Sequence, residues 1–171
     1  MMKNKGVYRN VFFMAQAAAI AAIYVVLTLV FAPFSFGEVQ VRIAEALTIL
    51  PIFTPAAVPG LFVGCLIGNV LGGALLPDIV FGSLATLIGA VFTWQLRDRK
   101  KVIACLPPVI SNVVIVPLVL RVAYGVNLPI PFLMITVGIG EVISCMVLGL
   151  LLASLLEKYR YQIFRTTPSV R

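Results

Sequence analysis

The chain alternates long apolar runs with short polar connections, and this pattern constrains the fold more than any other feature. The first run, residues 11–32, contains no charged side chain. About 20 apolar residues in helical form cross the hydrocarbon core of a bilayer. The chain is 61% hydrophobic and 11% charged, with a mean hydropathy of +1.11, whereas soluble domains carry about 25% charged residues. Lipid is therefore the solvent we expect for most of the surface.

The apolar runs predict an all-α integral membrane protein, a compact bundle of six transmembrane helices forming a single domain over residues 1–171. Six spans of about 20 residues each use most of the chain and leave no room for a separate catalytic lobe. The second span is short and contains Pro51, and the third is rich in glycine. The predicted spans are 11–32, 43–53, 57–76, 79–96, 103–124 and 132–159.

The basic residues predict how the bundle is oriented. All of the 13 lysines and arginines except Arg42 and Arg121 fall into three clusters beside apolar runs. Basic loops stay on the cytoplasmic side of a membrane, and this placement favours orientation over nucleic-acid binding. With six spans all three clusters lie on one side, so we expect both termini in the cytoplasm. The connections around Glu38, Pro77–Asp78 and Asn127 would then face outward.

The sequence lacks the motifs of most catalytic and metal sites. It contains no histidine, no phosphate-binding loop and no catalytic triad. Cys65, Cys105 and Cys145 lie in separate apolar segments without metal-ligand spacing, and we interpret them as small packing residues. We therefore expect no enzyme activity, no metal and no cofactor in this chain, and ATP hydrolysis would need a partner.

Two stripes of small residues predict close helix contacts. On the first span, alanines at i, i+3, i+4 and i+7 share one helix face, which suits either packing inside the bundle or docking of another membrane protein. On the third span, glycines four residues apart predict internal close packing. The alanines are Ala15, Ala18, Ala19 and Ala22, and the glycines are Gly60, Gly64, Gly68 and Gly72.

Polar residues within the spans are the candidates for function, because an ionisable group at the centre of a span costs about 2.5–3.5 kcal/mol and usually has a partner. A structural interpretation pairs Glu45 with Arg42 and Glu141 with Arg121. A functional interpretation is a polar pocket near the outer face, capped by residues 35–42, whose carboxylates suit a cationic or donor-rich ligand. The candidate residues are Glu38, Gln40, Arg42, Glu45, Asn69, Asp78, Asn112, Arg121, Tyr124 and Glu141.

Several strings carry a family resemblance. They are SFGEVQVRIAEALT at Ser35–Thr48, LPIFTPAAVPGLFVGC at Leu50–Cys65, DIVFGSLAT at Asp78–Thr86 and LPPVISN at Leu106–Asn112. These strings resemble the QueT family of queuosine-precursor transporters, which belong to the substrate-binding S components of energy-coupling factor (ECF) transporters. The resemblance covers nearly the whole chain, and the first two strings are the most specific.

The resemblance implies a six-helix protein in the cell membrane of a prokaryote, with both termini in the cytoplasm. It implies three partners, namely the transmembrane coupling protein EcfT and two ATP-binding-cassette ATPases. It also favours docking of EcfT over internal packing as the role of the alanine stripe. The implied ligand is 7-aminomethyl-7-deazaguanine or a close relative, with Glu45 and Glu141 in the two recognition roles. Asn69, Asn112, Gln40 and Arg42 would complete that site.

Three other functions remain as alternatives. The first is an S component for a different vitamin-like molecule, with the same fold and another pocket. The second is a secondary carrier that works without ATPases. The third is a membrane-embedded enzyme that uses Glu141 as a general base, although the sequence offers no nucleophile or second base at a convincing spacing.

Overall fold

A computed structural model of the protein describes residues 3–31 and 41–164, and these residues are almost entirely helical. Glu38, Gln40 and most of the predicted capping segment 35–42 lie outside the described residues. The helices are α1 (Lys3–Val30), a 3₁₀ helix (Ile43–Ile52), α2 (Ala57–Leu71), α3 (Leu76–Gln95), α4 (Lys101–Ala104), α5 (Leu106–Val122), α6 (Ile130–Glu141), a π-helical segment (Val142–Leu148) and α7 (Gly149–Phe164).

Four helical stretches are long and apolar enough to cross a membrane, and the Ile43–Ile52 and Ala57–Leu71 helices are shorter apolar helices. The prediction of an all-α membrane protein is confirmed, and the count of six spans and the orientation of the termini stay predictions. The four long stretches are Asn10–Val30, Leu76–Gln95, Lys101–Val122 and Ile130–Arg160.

The boundary between the third and fourth predicted spans was wrong. The third helix ends at Leu71 instead of residue 76, because Gly73 adopts a positive φ of 76°, a conformation that commonly ends helices. Pro77 and Asp78, predicted in a loop, lie in the first turn of α3. Proline suits a first helical turn, where its missing N–H leaves no hydrogen bond unmade. Asp78 is therefore held by a helix, with its side chain buried.

Helix α1 packs along α2 through glycines, as the glycine stripe predicts for Gly60, Gly64 and Gly68. A methyl group at Gly60 would lie 2.7 Å from the carbonyl oxygen of Ala17, and one at Gly64 would lie 2.8 Å from Cβ of Tyr24. Such close contact between helix backbones is typical of membrane interiors. The contact fixes Tyr24, which is 1% exposed, against the centre of the protein.

The 3₁₀ helix lies at the centre of the bundle, in contact with α1, α2, α3, α7 and the π-helical segment. Every residue from Ala44 to Pro51 is buried. A 3₁₀ helix has three residues per turn, so residues three apart share a face. Glu45 and Thr48 consequently lie on one face, and Leu47 and Leu50 lie on another. Runs longer than about four residues are uncommon in this geometry, and packing on all sides supports this one.

The end of α7 is joined to the rest of the bundle by aromatic and charged contacts. The Phe164 ring stacks on the Phe53 ring, with the centroids 5.3 Å apart. Glu157 forms an exposed ion pair with Lys101 from α4 and lies 3.9 Å from Arg160. These contacts lie at the end of the protein that carries the predicted cytoplasmic clusters.

A Gly64→Ala substitution should destabilise the protein by about 1–3 kcal/mol, because its methyl group would overlap Tyr24 Cβ and Ala21 in a packed contact. The measurement is the unfolding midpoint in detergent. Gly138→Ala is the control, since its methyl group would lie at an ordinary contact distance of 3.4 Å from Val113 Cγ2, and alanine favours helix. Equal midpoints for the two variants would contradict the close contact between α1 and α2.

Candidate functional site

Polar side chains gather in the interior of this apolar bundle, where sequence reasoning placed them. Six of the predicted site residues are buried, each no more than 6% exposed. Arg121 and Tyr124 are exposed, although the Tyr124 hydroxyl reaches Asp78 of that interior group. The buried predicted residues are Arg42, Glu45, Asn69, Asp78, Asn112 and Glu141.

Glu45 is held in place by the 3₁₀ helix and by α1. The Tyr24 hydroxyl donates a hydrogen bond to Glu45 Oε1, and the Thr48 hydroxyl donates to the Glu45 carbonyl oxygen at 2.6 Å. Thr86 lies beside Glu45, but its hydroxyl is directed at the Gly82 carbonyl, 3.2 Å away, and at Cys65 Sγ. Glu45 Oε2 is therefore buried without a hydrogen-bond donor among the described residues.

Glu141 ends α6, and the π-helical segment that follows brings Cys145 back to it. The Cys145 thiol lies 3.1 Å from Glu141 Oε2 and donates to it, and the Thr48 hydroxyl lies 3.5 Å from the same sulfur. Asn112 of α5 lies beside Glu141. π-Helical turns are rare and occur frequently at functional sites, and this one also buries Ser144, whose hydroxyl has no partner among the described residues.

The two carboxylates and the thiol form a compact group that we call the acceptor triangle: Glu45, Glu141 and Cys145. One carboxylate oxygen from each glutamate and the Cys145 sulfur all lie within 4.8 Å of one another. Like charges this close repel strongly in a medium of low dielectric constant. The cation Arg42 forms its ion pair with Asp78, at 3.7 Å, and it also attracts the Glu45 and Glu141 carboxylates electrostatically.

Asp78 is the centre of a second polar group at the start of α3. Its Oδ2 atom accepts a hydrogen bond from the Tyr124 hydroxyl at 3.0 Å and lies 3.7 Å from Nη2 of Arg42. The backbone N–H of Leu75 donates to that same hydroxyl at 3.2 Å. Burial and the neighbouring Asp78 carboxylate raise the pKa of Tyr124, which keeps the hydroxyl protonated as a donor.

The Asp78 group extends towards the acceptor triangle through α2. The Asn69 amide donates to the backbone carbonyl of Asp78 at 3.5 Å and to Cys65 Sγ at 3.6 Å. Gly82 makes this approach possible, because a methyl group there would lie 3.0 Å from Asp78 Oδ1 and 3.3 Å from the Asn69 amide. Cys65 in turn accepts from Thr86, which lies beside Glu45. The two groups are thus connected by a chain of polar contacts.

Of the structural pairings predicted from sequence, that of Glu141 with Arg121 was wrong. Glu141 is buried and contacts Cys145, whereas Arg121 is exposed and donates to the Leu128 carbonyl at 2.8 Å. Arg42, expected beside Glu45, forms its ion pair with Asp78. Glu45 and Glu141 therefore do not form the ion pairs that were predicted for them from the sequence.

Sequence reasoning missed three residues of the interior, namely Tyr24, Thr48 and Cys145. Cys145 was interpreted as packing, yet it contacts Glu141 from four positions along the chain. Thr48 follows Glu45 by three positions, which is one turn of a 3₁₀ helix, and the spacing would have found it had that helix type been expected. Tyr24 lies 21 residues before Glu45 and offers no local signal.

The predicted docking stripe on α1 faces outward. Ala15, Ala18, Ala19 and Ala22 are all exposed, whereas Ala21 and Tyr24 face α2. Apolar grooves of about 310 Å³ and 370 Å³ flank the stripe. The first includes Ala18 and Val63, and the second includes Ala19, Leu47, Leu50 and Leu156. The described part of the bundle therefore does not use this alanine face for its own packing.

The fold and the interior define an integral membrane protein that keeps carboxylate, amide and hydroxyl groups within an apolar helical bundle. The family model described as QueT transporter matches residues 14–158. The chain belongs to the QueT transporter family.

A curated relative is consistent with the family. The protein named Queuosine precursor transporter QueT, from Lactococcus lactis subsp. cremoris (strain MG1363), is 33% identical over 86 residues. The match covers 49% of this chain and 50% of the relative, so the chain spans about half the length of the curated relative it matches. No solved structure matches the chain.

Removing Asp78 should destabilise the protein strongly, because its carboxylate is 2% exposed and contacts Arg42 and Tyr124. We expect Asp78→Ala to cost about 3–5 kcal/mol, measured by unfolding in detergent. Glu157→Ala is the control, since Glu157 forms exposed ion pairs with Lys101 and Arg160 that contribute less than about 1 kcal/mol. A larger loss for Glu157→Ala than for Asp78→Ala would show that the Asp78 group does not hold the bundle.

Proposed function

We propose that the protein binds a queuosine precursor, a base resembling 7-aminomethyl-7-deazaguanine, and takes it up with high affinity as the S component of an ECF importer. Family membership and the printed name of the Lactococcus lactis relative support this substrate class. The observation that carries the proposal is the buried Glu45 carboxylate, whose Oε2 atom lacks a donor in the described structure. A buried polar group without a partner costs free energy, which a donor-rich ligand would recover.

The chemistry of such a ligand suits the interior. A guanine-type base presents an N–H and an exocyclic amine side by side, which match one carboxylate through two parallel hydrogen bonds. The ring carbonyl needs a donor, which Asn69, Asn112 or Arg42 would supply. A pocket built from such groups rejects analogues, because its own polar atoms would be left unpaired. Glu38, Gln40 and Tyr124 belong to the proposed site on the outer side.

Energy for uptake would come from partner proteins. The sequence has no phosphate-binding loop for ATP, and an S component relies on the coupling protein EcfT and two ATP-binding-cassette ATPases. The exposed alanine stripe on α1 supports docking of EcfT, because small residues let a second helix approach closely in lipid. The basic clusters favour cytoplasmic termini in a bundle of six spans, within the cell membrane of a prokaryote.

Glu45→Gln and Glu141→Gln should each weaken binding of 7-aminomethyl-7-deazaguanine by at least about tenfold, since each removes a charge-assisted hydrogen bond. Isothermal titration calorimetry on protein in detergent or nanodiscs measures the affinity. Glu157→Gln is the matched control, because Glu157 is a glutamate on the exposed end of α7 and its removal should leave binding unchanged. Unchanged affinity in both interior variants would contradict the site.

The pair Ala15→Trp and Ala19→Trp should abolish uptake while ligand binding stays intact, because bulky rings on the stripe would keep a partner helix away. Cellular uptake of labelled ligand and calorimetry on the purified variant measure the two properties. The control is Ile135→Trp with Ile139→Trp, which places the same rings at the same spacing on exposed positions of α6.

Two results would contradict the ECF assignment. One is uptake that survives in the alanine variant at the level of the α6 control. The other is uptake by the unmodified protein in cells that lack EcfT and the ATPases, which would make the chain a self-sufficient carrier.

A further inference from the structure

The acceptor triangle has the size of a site for a single small cation. Glu45 comes from the 3₁₀ helix, and Glu141 and Cys145 come from one continuous helical stretch, at the end of α6 and in the π-helical segment that follows it. Their acceptor atoms lie no more than 4.8 Å apart. All three residues are at most 3% exposed, so whatever occupies the triangle is removed from water.

This separation matches the geometry of a primary ammonium group. Such a group carries three N–H donors, and charge-assisted N–H···O bonds are about 2.8 Å long. Because the N–H bonds of the group point in tetrahedral directions, two acceptors bound to the same nitrogen atom lie about 4.6 Å apart. Three acceptors, none more than 4.8 Å from another, match the number of donors on one ammonium group. The group would take the place of the 3.1 Å hydrogen bond between Cys145 and Glu141.

The same separation excludes a division of labour between the two glutamates. If Glu45 read one edge of a flat bicyclic base and Glu141 read the opposite edge, the ring would have to lie between them. Each carboxylate would then stand about 2.8 Å beyond the ring on its own side, which places the two oxygens much farther apart than 4.8 Å. Carboxylate oxygens this close together are placed to share one group of a ligand rather than to flank its ring.

Two further observations point to an occupant. Glu45 Oε2 and the Ser144 hydroxyl, each on a residue 1% exposed, have no hydrogen-bond partner in the described part of the chain. Two of the neighbouring hydroxyl groups are already engaged, because Tyr24 donates to Glu45 Oε1 and Thr48 donates to the Glu45 carbonyl oxygen. Arg42, the nearby cation, lies against Asp78. Arg42 also attracts both glutamates electrostatically, and a ligand ammonium group in the triangle would add a positive charge in direct contact with them.

We infer that Glu45, Glu141 and Cys145 together bind the primary ammonium group of the ligand, and that Asp78 with Asn69 reads the edge of the base. The inference rests on the proposed function and replaces the expectation that the two glutamates take one recognition role each. It makes the triangle the determinant of selectivity for an aminomethyl substituent over neutral substituents of similar size. Asp78 carries the remaining buried carboxylate among the described residues, with Oδ1 free of hydrogen-bond donors there.

The test compares 7-aminomethyl-7-deazaguanine with its neutral counterpart 7-hydroxymethyl-7-deazaguanine by calorimetry. The unmodified protein should prefer the aminomethyl compound by roughly 10- to 100-fold, the range expected for hydrogen bonds to a charged group. Glu45→Gln and Glu141→Gln should both remove most of this preference while binding the hydroxymethyl compound within about threefold of the unmodified protein, as the lost charge matters only to the cation. Retained hydroxymethyl binding also shows that each variant is folded.

Asp78→Asn provides the contrasting variant. It should weaken both compounds by similar factors and leave their ratio unchanged, because the edge of the base is the same in both. Asp78 also contacts Arg42 and Tyr124, so the affinity is compared on variant protein that unfolds cooperatively in detergent, and unchanged affinity for both compounds overturns the base-edge role. Cys145→Ser should keep the preference, since a hydroxyl oxygen accepts from an ammonium group at least as well as a thiol sulfur does.

Four other outcomes would overturn the inference, and each of them points to a different explanation. Equal affinity of the unmodified protein for the two compounds removes the ammonium site but leaves the transport proposal in place. A variant of either glutamate that weakens both compounds equally shows that this glutamate reads the base. Tight Zn²⁺ binding that is lost in Cys145→Ser identifies the triangle as a metal site. Failure of the unmodified protein to bind any deazaguanine overturns the proposed function itself.

Discussion

Two carboxylates held close together inside a lipid-embedded bundle determine which polar groups the rest of the interior must supply. Glu45 and Glu141 bring acceptor atoms within 4.8 Å of each other and of Cys145, in an interior where a charge without a partner is expensive. Tyr24, Thr48 and Cys145 supply hydrogen bonds to these residues. None of these three brings a positive charge, and the buried cation nearby, Arg42, forms its ion pair with Asp78.

Unusual helical geometry makes this arrangement possible. The π-helical segment returns Cys145 to Glu141, and the 3₁₀ helix presents Glu45 and Thr48 on one face. The opposite side of the same 3₁₀ helix places Leu47 and Leu50 in the groove beside the exposed alanine stripe. A single ten-residue element thus touches both the polar interior and the surface proposed for the coupling protein.

Much of the fold followed from apolar run length, because a span must satisfy its backbone internally and therefore becomes a helix. The burial of Glu45, Asn69, Asn112 and Glu141 followed from the cost of polar groups in lipid. Span length alone could not reveal that Asp78 belongs to a helix, since that depends on the positive φ of Gly73.

Other features of the site depend on tertiary contacts or helix type. The hydrogen bond of Tyr24 to Glu45 arises because α1 packs closely on α2, and no local pattern encodes it. The approach of Cys145 to Glu141 became visible only with the π-helical backbone. The pairing of Arg121 with Glu141 failed because sequence offers opposite charges but does not show which ones are buried. Glu38 and Gln40 lie outside the described residues, and their roles stay predictions.

The central claim is that the interior cluster binds a queuosine precursor, and the ligand that the protein retains during purification tests it most directly. The purified protein would be denatured and the released small molecules identified by mass spectrometry, with the Glu45→Gln plus Glu141→Gln double variant prepared in parallel. The account predicts a deazaguanine bearing an aminomethyl group from the unmodified protein and its loss from the double variant. Release of a different vitamin, or of the same deazaguanine in equal amount from both proteins, would contradict it.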